Sequence, residues 1–161
     1  MTEKTVIRPE PLVIERHFDA PRAIVLQAWT TAEHIKNWYS PECFTTPEAV
    51  IECRPGGTFD ICMQAPDGQQ FWSRGRFIEV VENDRLSLET NVHFDDSGNV
   101  PFAARTQVTF ADEGDGTLMI VRQEYEIYDE VVGKAAVGGA PEGWRTTLDK
   151  LEREVARIKA A

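Results

Sequence analysis

The sequence contains few cysteines, few histidines and a minority of basic residues. Its 161 residues include three cysteines and three histidines, with 17 lysines and arginines against 27 aspartates and glutamates. Cys43, Cys53 and Cys62 lack the spacing of a zinc site, and no Cys-x-x-Cys motif occurs. This sparse set favours a reducing, cytoplasmic location. We expect neither a metal ion nor a cofactor.

The charge balance and the hydropathy pattern exclude two classes of partner. The formal net charge is −10, whereas binding to phosphate groups requires clustered lysines and arginines. Nucleic acid and anionic membrane surfaces are therefore not expected partners. No apolar run is long enough to span a bilayer, and the first twelve residues lack the apolar core of a signal peptide. We expect no membrane insertion.

The order of predicted elements indicates one α+β domain. Residues 1–11 contain two prolines and predict a flexible lead-in, and residues 12–161 predict a single domain. Apolar and polar side chains alternate from Leu12 to Phe18, which predicts a strand. Two short helices are predicted next, the first beginning near Pro21 and the second containing Trp38. About six further alternating segments, separated by turn residues, predict an antiparallel meander.

The C-terminal segment predicts a long amphipathic helix. Residues 131–141 contain three glycines and are expected to lead into it. Charged residues cover most of the predicted helix, and its apolar stripe consists of Trp144, Leu148, Leu151, Val155 and Ile158. Because the other elements are mostly strands, the stripe is expected to lie on a sheet.

Several short motifs, in this order, resemble those of a known superfamily. They are Phe18-x-Ala20-Pro21, Trp29, Trp38, Arg54-Pro55-Gly56-Gly57-x-Phe59, Gly75-x-Phe77-x-Glu79-Val80 and Gly143-Trp144-x-x-x-Leu148. The chain resembles the START/SRPBCC superfamily, whose birch-pollen-allergen-like fold is called helix-grip. Within it, the chain is similar to homologues of the heat-shock-protein-90 ATPase activator. The resemblance implies a curved antiparallel sheet of about six to seven strands wrapped around the long C-terminal helix.

The resemblance implies a cavity but does not fix a function. The superfamily includes lipid and sterol carriers, polyketide cyclases, hormone receptors and co-chaperone domains. Three hypotheses follow: a domain that binds a hydrophobic or aromatic small molecule, a cyclase- or hydrolase-like enzyme, and a protein-interaction domain. The chain lacks the additional N-terminal domain of the eukaryotic co-chaperones, so a chaperone partner is not expected. The sequence leaves the oligomeric state open, including a homodimer.

Strand parity and the ends of the helices give the candidate ligand-binding residues. The inner face of the sheet is expected to carry Phe59, Ile61, Met63, Phe71 and Phe77. Small residues at Ser73 and Gly75 would leave room beside them. The aromatic residues expected near the mouth are Trp38, Tyr39, Phe44 and Trp144, with Leu148 following on the helix. The alternative is that all these side chains fill a packed core, because pocket walls and cores have the same composition.

Glu79 is the candidate catalytic residue. If its carboxylate points into the cavity, it can serve as an acid or a base. The alternative is an ion pair with Arg85 or Arg105 at the end of the sheet. His34, next to Glu33, is expected to form a solvated pair. The sequence shows no nucleophile, base and orienting residue in a recognisable set, which favours binding over catalysis.

Overall fold

Seven antiparallel strands form one curved sheet in the computed structural model, which describes residues 6–95 and 97–161. The strands are β1 (Leu12–Phe18), β2 (Thr45–Ile51), β3 (Thr58–Gln64), β4 (Gln70–Val81), β5 (Arg85–His93), β6 (Phe102–Glu113) and β7 (Gly116–Ile127). Their order across the sheet is β1-β7-β6-β5-β4-β3-β2. Strands β2 to β7 follow one another as a meander, and β1 joins its far edge beside β7. The predicted fold class is confirmed.

The helices occupy the inner side of the sheet. They are α1 (Arg22–Thr30), α2 (Ala32–Trp38), α3 (Glu130–Gly138) and α4 (Ala140–Ala160). The buried residues of α4 include Trp144, Leu148, Leu151 and Val155, and Ile158 packs partly buried against the same core. The predicted apolar stripe is therefore the face that α4 turns to the sheet.

Helix α3 was not predicted, because residues 131–141 were expected only to lead into the final helix. Gly133 and Gly138 lie within it, and glycine lowers helix propensity by about 1 kcal/mol relative to alanine. The helix is nevertheless well capped, since the Asp129 carboxylate accepts hydrogen bonds from the backbone N–H groups of Val131 and Val132. This N-cap aspartate was the signal in the sequence that could have identified the helix.

A β-bulge interrupts the alternation of β4. Phe77 pairs with Leu88, whereas Glu79 pairs with Ser87, so Ile78 is an extra residue in the ladder. Ile78 is 42% exposed. Beyond the bulge the inward and outward positions are exchanged, and Val80 packs against the core. Glu79 therefore takes an outward position.

The N-terminal residues before β1 attach to the far end of β7. The Ile7 N–H donates to the Ile127 carbonyl at 3.1 Å, and the Ile127 N–H donates to the Ile7 carbonyl at 2.8 Å. Residues 1–5 of the predicted flexible lead-in lie outside the described residues. Among the helices of the described chain, none has the length and apolarity that crossing a bilayer requires.

Candidate functional site

A cavity of about 410 Å³ lies between the inner face of the sheet and helices α3 and α4. Its floor contains small or short side chains on three neighbouring strands, namely Ser73 on β4, Thr90 on β5 and Ala104 on β6. Thr90 pairs directly with Gly75 on one side and with Ala104 on the other. These short side chains leave the space open, whereas bulky residues at the same positions would close it.

A row of aromatic rings crosses the sheet along one side of the cavity. The centroids of Phe44 and Phe71 are 6.1 Å apart, and those of Phe71 and Phe94 are 5.1 Å apart. Phe102 continues the row at 6.2 Å from Phe94, and Tyr125 lies a further 6.5 Å away. These separations suit edge-to-face and offset ring packing, which an aromatic ligand could extend.

The opposite wall comes from small residues of α3 and α4. Ala135 and Ala136 of α3 line the cavity together with Ala140 and Gly143 of α4. Because these residues have short side chains or none, the helix backbones come close to the open space. The wall is therefore smooth and apolar.

A hydrogen-bonded cluster stands at the cavity wall around the amide of Gln123. Its Oε1 accepts from Trp144 Nε1 at 3.0 Å and from the Tyr125 hydroxyl at 2.6 Å. Its Nε2 donates to Thr106 Oγ1 at 2.8 Å. Gln123 is 8% exposed, and burial raises the pKa of the Tyr125 phenol. The cluster is neutral and holds the amide in one orientation.

Lys150 fixes the loop at the mouth of the cavity. Its Nζ donates to Ser40 Oγ at 3.0 Å, to the Pro41 carbonyl at 3.0 Å and to the Phe44 carbonyl at 2.8 Å. These three bonds use all the donors of the ammonium group. Burial lowers the pKa of Lys150. The three hydrogen bonds attach the loop to α4.

The cavity has no charged wall. Among the described residues that line it, none is Asp, Glu, Lys, Arg or His. Tyr39 belongs to the lining, and burial raises the pKa of its phenol, which keeps it neutral. The polar side-chain groups of the described lining are hydroxyls, the Gln123 amide and the indole N–H groups of Trp72 and Trp144.

The predicted ligand-binding residues fall into two groups. Those that line the cavity are Phe44, Met63, Phe71 and Trp144. Those that have no exposed surface and lie in the hydrophobic core instead are Trp38, Phe59, Ile61, Phe77 and Leu148. The structure corrects the prediction for this second group.

The correction has a packing reason. The alternation along a strand predicts which face of the sheet a side chain lies on. It does not predict whether that part of the face packs in the core or lines the cavity. The core part is filled by Trp29 and Trp38, whose ring centroids are 4.7 Å apart, and Trp38 Nε1 donates to the Ala28 carbonyl at 2.9 Å. Phe59 and Phe77 join this core, with ring centroids 5.5 Å apart.

Glu79 does not point into the cavity. Its Oε1 lies 2.5 Å from Arg85 Nε, and its side chain is 43% exposed. The bulge at Ile78 turns it outward, so the expectation of a cavity acid is wrong. The ion pair with Arg85 was the alternative considered, and it is the arrangement found.

The sequence reasoning missed the residues that β5 to β7 contribute. Thr90, Phe94, Phe102, Ala104 and Gln123 all line the cavity. Four of them belong to β5, β6 or β7, and pairing places Ala104 beside both Thr90 and Tyr125. The alternation of side chains along β5 to β7 could have identified these residues, because they lie on the same face of the sheet as Ser73.

A larger hollow of about 880 Å³ lies on the outer face of the sheet. Its arginines already pair with carboxylates on the same face, as Arg74 does with Asp60 and Arg76 with Glu89. Arg8 of the N-terminal segment pairs with Glu126 in the same way. Because these arginines are at least half exposed and their charges are balanced by carboxylates, the inner cavity is the better candidate site.

Comparison with known proteins gives the family. The family model described as "Activator of Hsp90 ATPase homolog 1-like protein" matches residues 19–156. The chain belongs to this family. The family shares the helix-grip fold of the START/SRPBCC superfamily, which is known for ligand-binding cavities. Among curated proteins, none matches the sequence.

Solved structures of bacterial proteins share the fold. A protein of Nitrosomonas europaea is 27% identical, with a TM-score of 0.78 over 94% of this chain and 97% of its own. A putative uncharacterized protein of Rhizobium leguminosarum is 26% identical, with a TM-score of 0.80 over 97% and 99% of the two chains. An AHSA1 protein of Silicibacter pomeroyi, 21% identical over 91% and 98% of the two chains with a TM-score of 0.73, has the same fold.

Proposed function

We propose that the protein binds a hydrophobic or aromatic small molecule in the cavity between its sheet and helices α3 and α4. The observation that carries this proposal is the cavity of about 410 Å³ with walls of aromatic and small apolar side chains. Small-molecule sites in proteins typically have volumes of about 300–1,000 Å³ and mostly apolar linings.

The aromatic row gives the ligand its contact surface. Rings at Phe71, Phe94 and Phe102 stand at successive centroid distances of 5.1 and 6.2 Å. Burial of apolar area provides about 25 cal/mol per Å², from which the loss of ligand freedom must be subtracted. A ligand that fills this space is expected to bind with micromolar affinity.

The catalytic alternative finds no support at the cavity. The described lining residues supply no carboxylate, imidazole or thiol for proton transfer or nucleophilic attack. Glu79, the acid on which a cyclase- or hydrolase-like reaction would depend, pairs with Arg85 on the outer face. The family description names activation of the Hsp90 ATPase, but on the described surface we find no feature that favours this activity over ligand binding.

The proposal is tested by filling the cavity. Ala104 is 6% exposed and lines the cavity, so Ala104→Phe places a ring in the open space. The uncharged fluorescent probe N-phenyl-1-naphthylamine is titrated into wild type and variant. We expect fluorescence enhancement with wild type and at least about tenfold weaker binding to the variant, a difference of about 1.4 kcal/mol.

The neighbouring residue supplies a matched control. Ala103 lies on the same strand but faces the outer side, where it borders the larger hollow. Ala103→Phe therefore adds the same ring to the opposite face and should leave the affinity unchanged. Equal affinity of the probe for wild type and both variants, with all three folded by near-ultraviolet circular dichroism, would exclude the cavity as the binding site.

A further inference from the structure

We propose that the ligand is uncharged and carries a carbonyl-type acceptor, which receives a hydrogen bond from the side-chain amide of Gln123. This inference rests on the proposed function and makes it chemically specific. Gln123 is then the residue that selects among aromatic molecules of similar size. The inference has three supports, which are the orientation of the amide, the neutrality of the walls and the size of the cavity.

The orientation of the amide follows from its neighbours. The Trp144 indole N–H can only donate, so the Gln123 atom that it faces at 3.0 Å is the oxygen. The Tyr125 hydroxyl donates to the same oxygen, which fills both of its lone pairs. The other amide atom is therefore the NH₂ group, and one of its hydrogens goes to Thr106 Oγ1.

One donor of this amide is left for a ligand. Among the described residues, none accepts the second N–H of Gln123, and this side chain lines the cavity. A ligand that excludes water from this part of the cavity leaves the N–H unpaired unless it supplies an acceptor of its own, and an unpaired buried N–H is unfavourable. A ligand with only donors at this end would not meet the requirement.

The walls exclude a charged ligand. No charged side chain belongs to the described lining, so an enclosed carboxylate or phosphate would lose its hydration without gaining a counter-charge. The ammonium of Lys150 lies nearby at the mouth, but its three donors are already bound to Ser40, Pro41 and Phe44. A neutral polar group can enter at lower cost.

The volume sets the size of the ligand. An apolar cavity of about 150 Å³ accommodates benzene. The cavity here measures about 410 Å³, which suits two or three fused or linked rings. A tricyclic aromatic ketone therefore meets all three requirements, and 9-fluorenone is a suitable probe of this class.

The test compares two probes of the same shape that differ in the carbonyl group. Dissociation constants of 9-fluorenone and fluorene are measured by calorimetry or by quenching of tryptophan fluorescence. The ratio of the two constants is compared between wild type and Gln123→Leu, so that differences in hydrophobicity cancel. Removing the bond should reduce the preference for the ketone by roughly three- to tenfold. A carboxylate derivative of 9-fluorenone should bind wild type at least about tenfold more weakly than the ketone.

Matched controls separate this inference from the proposed function. Gln107 is exposed on the outer face of β6, and Gln107→Leu should leave the ratio unchanged. If neither of these probes nor N-phenyl-1-naphthylamine binds wild type, the proposed function fails, whereas binding of the naphthylamine without binding of 9-fluorenone overturns this inference. If both probes bind but the ratio is the same in wild type and Gln123→Leu, ligand binding stands and the role of Gln123 is overturned.

A second measurement applies if Gln123→Leu does not fold, since the change also removes the partner of Trp144 and Tyr125. The infrared carbonyl stretch of 9-fluorenone bound to wild type is compared with its value in hexane. A donated hydrogen bond lowers the stretching frequency. A frequency equal to that in hexane would overturn the inference without any variant.

Discussion

Glu154 is a carboxylate that helix α4 buries at its contact with α2. The side chain is 4% exposed, and its Oε2 lies 2.8 Å from His34 Nδ1 and 3.0 Å from Asn37 Nδ2. Arg157 Nε donates to the other oxygen at 2.7 Å. The expectation that His34 pairs with Glu33 is therefore wrong, because α2 turns His34 toward α4. Glu154 connects the two helices through charge-assisted bonds.

The ionisation of Glu154 predicts a pH dependence of stability. Burial opposes ionisation, but hydrogen bonds from Arg157, Asn37 and His34 outweigh it and lower the pKa of Glu154 from 4.5 to about 2. A group with a depressed pKa in the folded state stabilises the fold above its unfolded pKa. The contribution is thus complete above pH 4.5 and is lost as the pH falls towards 2.

Replacing this carboxylate tests the prediction. Glu154→Gln should lower the free energy of unfolding at pH 7 by about 2–4 kcal/mol, and the slope of stability against pH between 4.5 and 2 should flatten. Urea denaturation at several pH values measures both. Glu152→Gln, at a carboxylate that is 59% exposed, is the control. The same slope in Glu154→Gln as in wild type would assign the acid sensitivity to other groups.

Helix α3 is held at its N-terminus and packs closely on β7 at one point. A Cβ atom at Gly133 would lie 2.5 Å from Ile127 Cγ2 and 3.2 Å from the Pro101 carbonyl oxygen. Ile127 is 2% exposed, so it has little room to move. The glycine therefore allows α3 to approach the sheet and to close one side of the cavity. This position shows why a glycine that lowers helix propensity lies inside a helix.

Two glycines of α3 give opposite predictions for the same substitution. Gly133→Ala should lower the free energy of unfolding by about 1–3 kcal/mol, because the added methyl overpacks the contact with Ile127. Gly138→Ala meets nothing within 4 Å and should stabilise the helix by up to about 1 kcal/mol. Chemical denaturation measures both. A Gly133→Ala variant as stable as wild type would mean that α3 does not need this close approach.

The bulge in β4 is a feature of a single strand that the sequence pattern did not predict. Ile78 and Val80 are apolar and lie on either side of Glu79, so the sequence does not show which of the two faces the core. Strict alternation from Phe77 therefore turned Glu79 to the wrong face. The alternation of β1, by contrast, contained no interruption, and the predicted strand Leu12–Phe18 has the observed bounds.

At the scale of the whole molecule, the walls of the cavity are formed by the sheet together with α3 and α4. Its residues come from β3 to β7, from the loop at the mouth and from both helices. A ligand in it contacts elements that separate when the protein unfolds. Binding should therefore stabilise the complete fold rather than one segment.

This arrangement predicts a thermal shift on ligand binding. A probe such as 9-fluorenone, present at 100 times its dissociation constant, should raise the free energy of unfolding by about 2.7 kcal/mol. For a domain of this size, that corresponds to an increase in Tm of roughly 5–10 °C. Calorimetric scans with wild type and Ala104→Phe measure it. A shift of equal size in both proteins would indicate binding elsewhere.

The sequence predicted the overall fold more completely than it predicted the residues of the candidate site. The stripe from Trp144 to Val155 and the run of turns predicted a long helix on an antiparallel meander, because both patterns repeat over many residues. The cavity depends on single differences of side-chain size, such as Ala104 where a larger residue would fill the space. Gln123 also escaped prediction, since an amide in an alternating strand is indistinguishable from a surface residue until its partners are known.

The bulge at Ile78 makes this position tolerant of changes in identity and of the loss of the residue itself. Ile78 is 42% exposed, so many side chains can occupy this position. Between the pairs that flank it, β4 has one residue more than β5. Loss of the residue would remove the bulge and leave the pairs Phe77–Leu88, Glu79–Ser87 and Val80–Leu86 in one regular ladder. Such a deletion would keep the ion pair of Glu79 with Arg85 on the outer face and Val80 at the core. The extra residue thus changes the local bend of β4 without changing which side chains face the interior.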